Sequence, residues 1–180
     1  MQPMHVKNTI TRRRHAAWAA ACLLAGAAQA QASITTTLLD RNAWREQAHW
    51  RVAVSPFTQH FRTSDEHQRV VALALERQRQ DGWLAGGSHF SNSFGQPSAY
   101  LYLGRRVDLP FGPAGLFGQV SGGLLYGYRG RFEDKVPLNN NGFSPGALFT
   151  LGWQFDRRNA AAVHLLGDAG LMLQLSWDWR

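Results

Sequence analysis

The sequence predicts an all-β protein, an eight-stranded antiparallel up-and-down β-barrel, on three observations. Downstream of Trp50 the side chains alternate with a period of two rather than 3.6. The alternating runs are short, and polar, glycine- and proline-bearing connections separate them. The chain opens like an exported protein and carries its one cysteine, Cys22, inside the leader, so the mature domain has no disulfide to hold it.

Residues 1–30 read as a signal peptide. Arg12, Arg13 and Arg14 precede an apolar stretch over 16–28, and both Ala28-Gln29-Ala30 and Ala30-Gln31-Ala32 have the A-x-A form of a cleavage site. The apolar run is shorter than the roughly 20 residues of a spanning helix. Cys22 sits in the middle of it with no leucine just before, which argues against a lipoprotein. Residues 31–49 are a lead-in: "TLLDRNAWREQAHW" has leucine, alanine and tryptophan at irregular helical spacing, as a short interfacial helix or a frayed segment would. Residues 50–180 are the barrel. The formal charge of +7 includes Lys7 and the three leader arginines, and subtracting those four leaves about +3. The remaining arginines are spread over connections rather than gathered on a face, so no nucleic-acid footprint is present.

The strands follow in order. Residues 50–57 place Trp50, Val52 and Val54 on one face, and 70–77 align Val71, Leu73 and Leu75. Residues 83–90 and 98–106 are two arms of a hairpin whose turn is the "SNSFGQP" segment. Residues 116–126 and 145–155 come next; the latter alternates Ala147, Phe149, Leu151, Trp153 and Phe155 against Leu148, Thr150, Gly152 and Gln154. Residues 161–166 and 171–179 complete the set, and the last puts Leu171, Leu173, Leu175, Trp177 and Trp179 opposite Met172, Gln174, Ser176 and Asp178.

Two architectures accommodate this pattern: a soluble lipocalin-like barrel with its apolar face inside, and an outer-membrane barrel with that face outside. Aromatics at strand ends (Trp50, Tyr126, Tyr128, Trp153, Phe155, Trp177, Trp179) fit an interfacial girdle. Glycines on strand faces relieve crowding in a narrow barrel. The amphipathic last strand resembles an outer-membrane assembly signal, with Arg180 in the final position where an aromatic is usual. The expected location is therefore the cell outer membrane, as a monomer whose partners are membrane lipids and, during insertion, the assembly machinery. With both termini periplasmic, the external connections are 61–69, 92–97, 127–144 and 167–170.

No nucleophile elbow, metalloprotease motif, phosphate loop or dinucleotide fingerprint is present, no cofactor is implied, and no residues have metal-ligand spacing. What gathers at the external rim is His60, at the end of the first strand, and Asn92-Ser93, at the end of the third. A histidine base and a serine hydroxyl there can support acyl transfer. Taken residue by residue, "SNSFGQP" is also explained as a turn, 65–67 as a solvated loop, and His164 as a strand residue.

Thr58-Gln59-His60-Phe61-Arg62 resembles the T-x-H-x-R segment of the lipid A palmitoyltransferases, small outer-membrane barrels that move a palmitoyl chain from phospholipid to lipid A. Phe90-Ser91-Asn92-Ser93-Phe94 resembles that family's F-x-D-S-aromatic segment, Pro97 and Ala99 a following x-P-x-A, and Val136-Pro137-Leu138 a later proline segment. The similarity covers roughly residues 55–180. It implies His60 as general base, Ser93 as nucleophile or substrate-orienting hydroxyl, and Asn92 as a hydrogen-bonding partner. Asn92 stands where the family has aspartate, and an amide does not orient a histidine as a carboxylate does. The His60-to-Asn92 spacing is also shorter than the family's, and Asp65 or Glu66 is the available acidic substitute. A second segment, His89-Phe90-Ser91, resembles the H-x-S pattern of outer-membrane lipid A deacylases, but the downstream acidic residue is missing from 101–103. The alternative from another class is a non-catalytic barrel that stabilises the envelope or binds a ligand through residues 127–144.

Overall fold

The structure is a computed structural model that describes residues 38–62 and 67–179. The leader, Asp65, Glu66 and Arg180 lie outside the described residues. The chain divides into two units, Met1–Arg41 and Asn42–Arg180. Of the first, residues 38–41 are described; the second is the barrel. A six-residue helix, α1 (Arg41–Glu46), lies within the lead-in and precedes the first strand.

Eight strands follow: β1 (Ala48–His60), β2 (Ala72–Arg79), β3 (Trp83–Ser91), β4 (Pro97–Asp108), β5 (Leu116–Tyr126), β6 (Phe143–Gln154), β7 (Asn159–Leu165) and β8 (Gly170–Trp179). Each pairs antiparallel with its sequence neighbour, and β8 returns to β1, closing the barrel. Closure leaves no edge strand, since every strand pairs on both sides over part of its length. β1 extends past residue 57 because its ladder with β8 shifts register between Val54 and Phe57. Outward positions are Val52 and Val54 before that bulge, and Phe57 and Gln59 after it. The extra residue breaks the period of two and hides the strand's end from sequence.

Elsewhere the alternation holds, and its sense is apolar outward. Leu73, Leu101, Leu103, Val120, Phe149, Leu151 and Leu173 are exposed on the outside, while Arg51, Glu76, Gln119, Ser121, Thr150, His164, Gln174 and Asp178 are buried in the lumen. That is the reverse of a lipocalin-like carrier. Trp50, Trp153, Phe155, Trp177 and Trp179 form an exposed aromatic belt at one end, where Trp50 pairs with Trp179 and Val52 with Trp177. Tyr128 departs from the girdle expectation: it lies past the end of β5 and lines the interior.

The two ends differ. At the loop end, the connections are 61–71, 92–96, 127–142 and 166–169; at the turn end they are short, 80–82, 109–115 and 155–158. The turn-end wall is continuous, since every adjacent pair of strands is registered there, from Ala48↔Arg79 to Asn159↔Trp177. At the loop end the ladder has two gaps. β1 runs on to His60, but its pairing with β2 stops at Ser55↔Ala72. β6 begins at Phe143, but its pairing with β7 stops at Phe149↔Leu165. Each unpaired stretch contains a proline, Pro56 and Pro145, a residue without an N–H to give a ladder. Arg69 reaches back from the first loop and donates to the Pro56 carbonyl at 3.1 Å.

The lumen is layered. Tyr100 and Tyr102 stack across its middle with ring centroids 4.8 Å apart. The Tyr102 hydroxyl donates to buried Glu76 at 2.8 Å. Thr150 and His164 share a hydrogen bond of 2.7 Å, so His164 is a satisfied lumen residue. Below them Arg51 makes a two-point pair with Asp178, at 2.6 and 3.0 Å. Phe117 fills the space over Gly152, where any side chain would overlap its ring.

Candidate functional site

Above the tyrosine layer, the loop-end half of the lumen is a cavity of about 330 Å³, at the small end of the ~300–1,000 Å³ usual for ligand pockets. Its walls are largely apolar: Val70, Ala72, Phe90, Leu125, Leu148 and Met172. His60, Asn92 and Ser93 all line it, so closure brings the three sequence-predicted residues to one space although they come from the end of β1 and the turn after β3. Both ladder gaps border it, through Ser55 and Ala72 on one side and Pro145 and Leu148 on the other.

Asn92 is fully buried and its side chain builds the turn. Its Oδ1 accepts from the N–H groups of Phe94 and Gln96, each at 3.0 Å, while its own N–H donates to the Gln96 carbonyl at 2.9 Å. This is the local side chain-to-backbone bonding that favours Asn in turns. The acceptor is thus committed, and Nδ2 is left buried without a partner. Asn92 holds Ser93 in place rather than orienting His60.

Ser93 is buried, its carbonyl accepts from the Gln68 N–H at 2.7 Å, and its hydroxyl lies beside the Tyr128 phenol. Tyr128 has a left-handed backbone (φ 54°) directly after Gly127 (φ 145°), an uncommon conformation for a bulky residue. It turns the chain inward where β5 ends and sets the ring over the cavity. Burial pushes the Tyr128 phenol up, and the neighbouring Ser93 hydroxyl acts in the opposite direction, so the phenol is neutral at physiological pH.

His60 has a different neighbour from the one the motif suggests. Its ring lies 4.5 Å from that of His67, centroid to centroid, and among the described residues no hydrogen bond joins it to Ser93. His67 in turn meets Phe94 edge-on at 5.6 Å, and Phe94 stacks on Phe132 at 4.3 Å. A run of rings therefore ties the first loop, the 92–96 turn and the short 3-10 helix Gly130–Lys135 together over the cavity mouth. His67 is not the solvated loop residue its sequence surroundings suggested. Sequence reading missed it as a partner of His60 because Asp65-Glu66-His67 looks like any polar loop. His89 is exposed on the outer face, registered between Leu73 and Ala99, and does not line this cavity.

No group of three or more metal-ligating side chains occurs among the described residues. What the arrangement offers is an apolar chamber with an imidazole, a hydroxyl and a neutral phenol at its mouth. The closed eight-stranded barrel, apolar outside and polar within, is consistent with a β-barrel membrane protein. No protein-family model matches the chain, and no curated protein sequence does either.

Proposed function

We propose that this chain is an outer-membrane barrel that handles lipids and transfers an acyl chain between phospholipid and lipid A. The observation that carries the reading is the apolar loop-end cavity, open through two gaps in the strand ladder and rimmed by His60 and Ser93. A gap in a lipid-facing wall lets a tail pass from the bilayer into the lumen without crossing water. An acyl chain in the cavity would place its ester near the mouth. There His60 takes the proton from the acceptor hydroxyl as that oxygen attacks the ester carbonyl, and the departing glycerol oxygen regains a proton. Ser93, beside Tyr128, fits the substrate-orienting role better than that of nucleophile, because no base among the described residues is hydrogen-bonded to it.

A second reading has its own support. Asn92 is used up by its turn, and no carboxylate among the described residues contacts His60, which favours a barrel that binds lipid without reacting it. Mass spectrometry of lipid A and phospholipid from cells with and without the protein separates the two. Acyl transfer adds one acyl group to lipid A, and the gain disappears in Ser93→Ala and His60→Ala. Loss of an acyl group from lipid A identifies a deacylase. Unchanged pools with a folded protein leave the binding barrel.

A further inference from the structure

At the turn end, the lumen holds a second cavity of about 600 Å³, bordered by Gln80, Gly82 and Asp156 of the turns. Among the charges on its wall, which also include Arg105, Arg157, Asp156 and His49 beside Asp178, the buried and half-buried arginines differ in their partners. Arg51 with Asp178 and Arg79 with Asp81 form two-point pairs. Arg106 has no such partner. Its Nη1 donates to Gln154 Oε1 at 3.1 Å, the oxygen that Arg51 Nη2 also uses at 3.2 Å. Its guanidinium lies 3.5 Å from the centre of the Phe117 ring. Asp108, two residues along on the same face, is exposed, and no ion pair joins Arg106 to it or to any other described carboxylate.

Two guanidiniums thus share one neutral acceptor in a partly dry lumen, where like charges repel more strongly than in water. An anion beside Arg106 relieves this and satisfies donors that are otherwise unpaired. The opposite polarity is unmet on the same cavity wall, where Gln78 is 5% exposed and its Oε1 has no partner. The cavity therefore presents cationic donors and one unsatisfied acceptor. An oxyanion that keeps a proton at neutral pH meets both needs. Inorganic phosphate does; sulfate, fully ionised, offers no donor, and neither does the phosphate of a phosphodiester. The continuous turn-end wall also excludes a lipid from the side, so the ligand is water-soluble and comes through the mouth.

We propose that the turn-end lumen is a binding site for inorganic phosphate, held by Arg106 through its guanidinium and by Gln78 through its carbonyl. The site is separate from the loop-end cavity and does not depend on the lipid reading.

The test is titration of the full barrel, refolded in detergent, with inorganic phosphate, sulfate and a short-chain phosphodiester lipid, followed by calorimetry and phosphorus NMR. Wild type is expected to bind phosphate saturably and in preference to sulfate and to the lipid. Arg106→Met should weaken phosphate binding roughly tenfold or more, as loss of charge-assisted hydrogen bonds does, and Arg106→Lys should restore part of it. Gln78→Leu should abolish the preference for phosphate over sulfate. Heat-modifiable migration checks that each variant folds, and if Arg106→Met does not, the other two variants carry the test. Absence of saturable binding by folded wild type, equal binding by Arg106→Met, or preference for the lipid each overturns the proposal.

Discussion

Replacing Leu103 by arginine tests whether the outer face meets hydrocarbon. Leu103 points outward from β4, and its cross-strand neighbours are Ala85 and Gly122, which offer no charge to pair with. β4 has 12 residues; at ~3.3 Å per residue and a tilt of ~40° it covers roughly 28 Å of depth, against an apolar band of about 25 Å. Leu103 falls about 15 Å from the loop-end tip of the strand on this geometry, close to the midplane. Val107, on the same face, falls about 10 Å nearer the turn end, at the interface. Arginine at the midplane costs about 2–4 kcal/mol, and near the interface about 0–1 kcal/mol. On a water-exposed face either change would stay within about 0.5 kcal/mol. Urea unfolding of the two variants refolded into lipid vesicles, followed by tryptophan fluorescence, reads the difference. The reasoning fails if Leu103→Arg costs less than ~0.5 kcal/mol or no more than Val107→Arg.

Three further outcomes are expected. Asn92→Ala strands two backbone N–H groups and should cost about 1–3 kcal/mol, whereas Asn92→Asp keeps the one oxygen that accepts from both, so its cost should be smaller; denaturant midpoints rank the two. Asp178→Asn takes the charged partner from Arg51 and leaves that guanidinium buried without a paired carboxylate, a loss of about 3–5 kcal/mol, read by thermal unfolding of the refolded barrel. In the 155–158 turn, hydrogen bonds from the Asn159 side chain and from the backbone N–H groups of Arg158 and Asn159 hold the Asp156 carboxyl below its usual range. Its contribution is present above the unfolded carboxylate range and fades as pH falls through the folded one. The gap between wild type and Asp156→Asn should therefore be open at pH 7 and closed in strong acid, as unfolding midpoints at the two pH values will show.

The strands were legible because alternation is a local property. β5 matches residues 116–126 of the sequence reading, and β8 needs only Gly170 added. Their count, their order and the end at which His60, Asn92 and Ser93 meet follow from that period and from short connections. Bulges are less visible: one extra residue near Pro56 inverts the pattern and hid the last turn of β1. Roles within the candidate site were less legible still. Asn92 reads the same in a motif as in an Asx turn, and its two backbone partners appear only in the structure. Tyr128 reads as a girdle aromatic until a left-handed backbone carries it inside.

Alternation cannot say which face is in, because a period of two is the same from either side. Closure decides that, and the charged lumen shows the decision: Arg51 meets Asp178 from 127 residues away. The two ladder gaps, the His60–His67 contact and the guanidinium pair at Gln154 depend equally on strand register and loop return, which join residues far apart in the chain. The sequence by itself determined the strands and their topology through nearest-neighbour sterics. The tertiary structure alone decided the cavities and the partners of each polar group, since those are set by long-range closure.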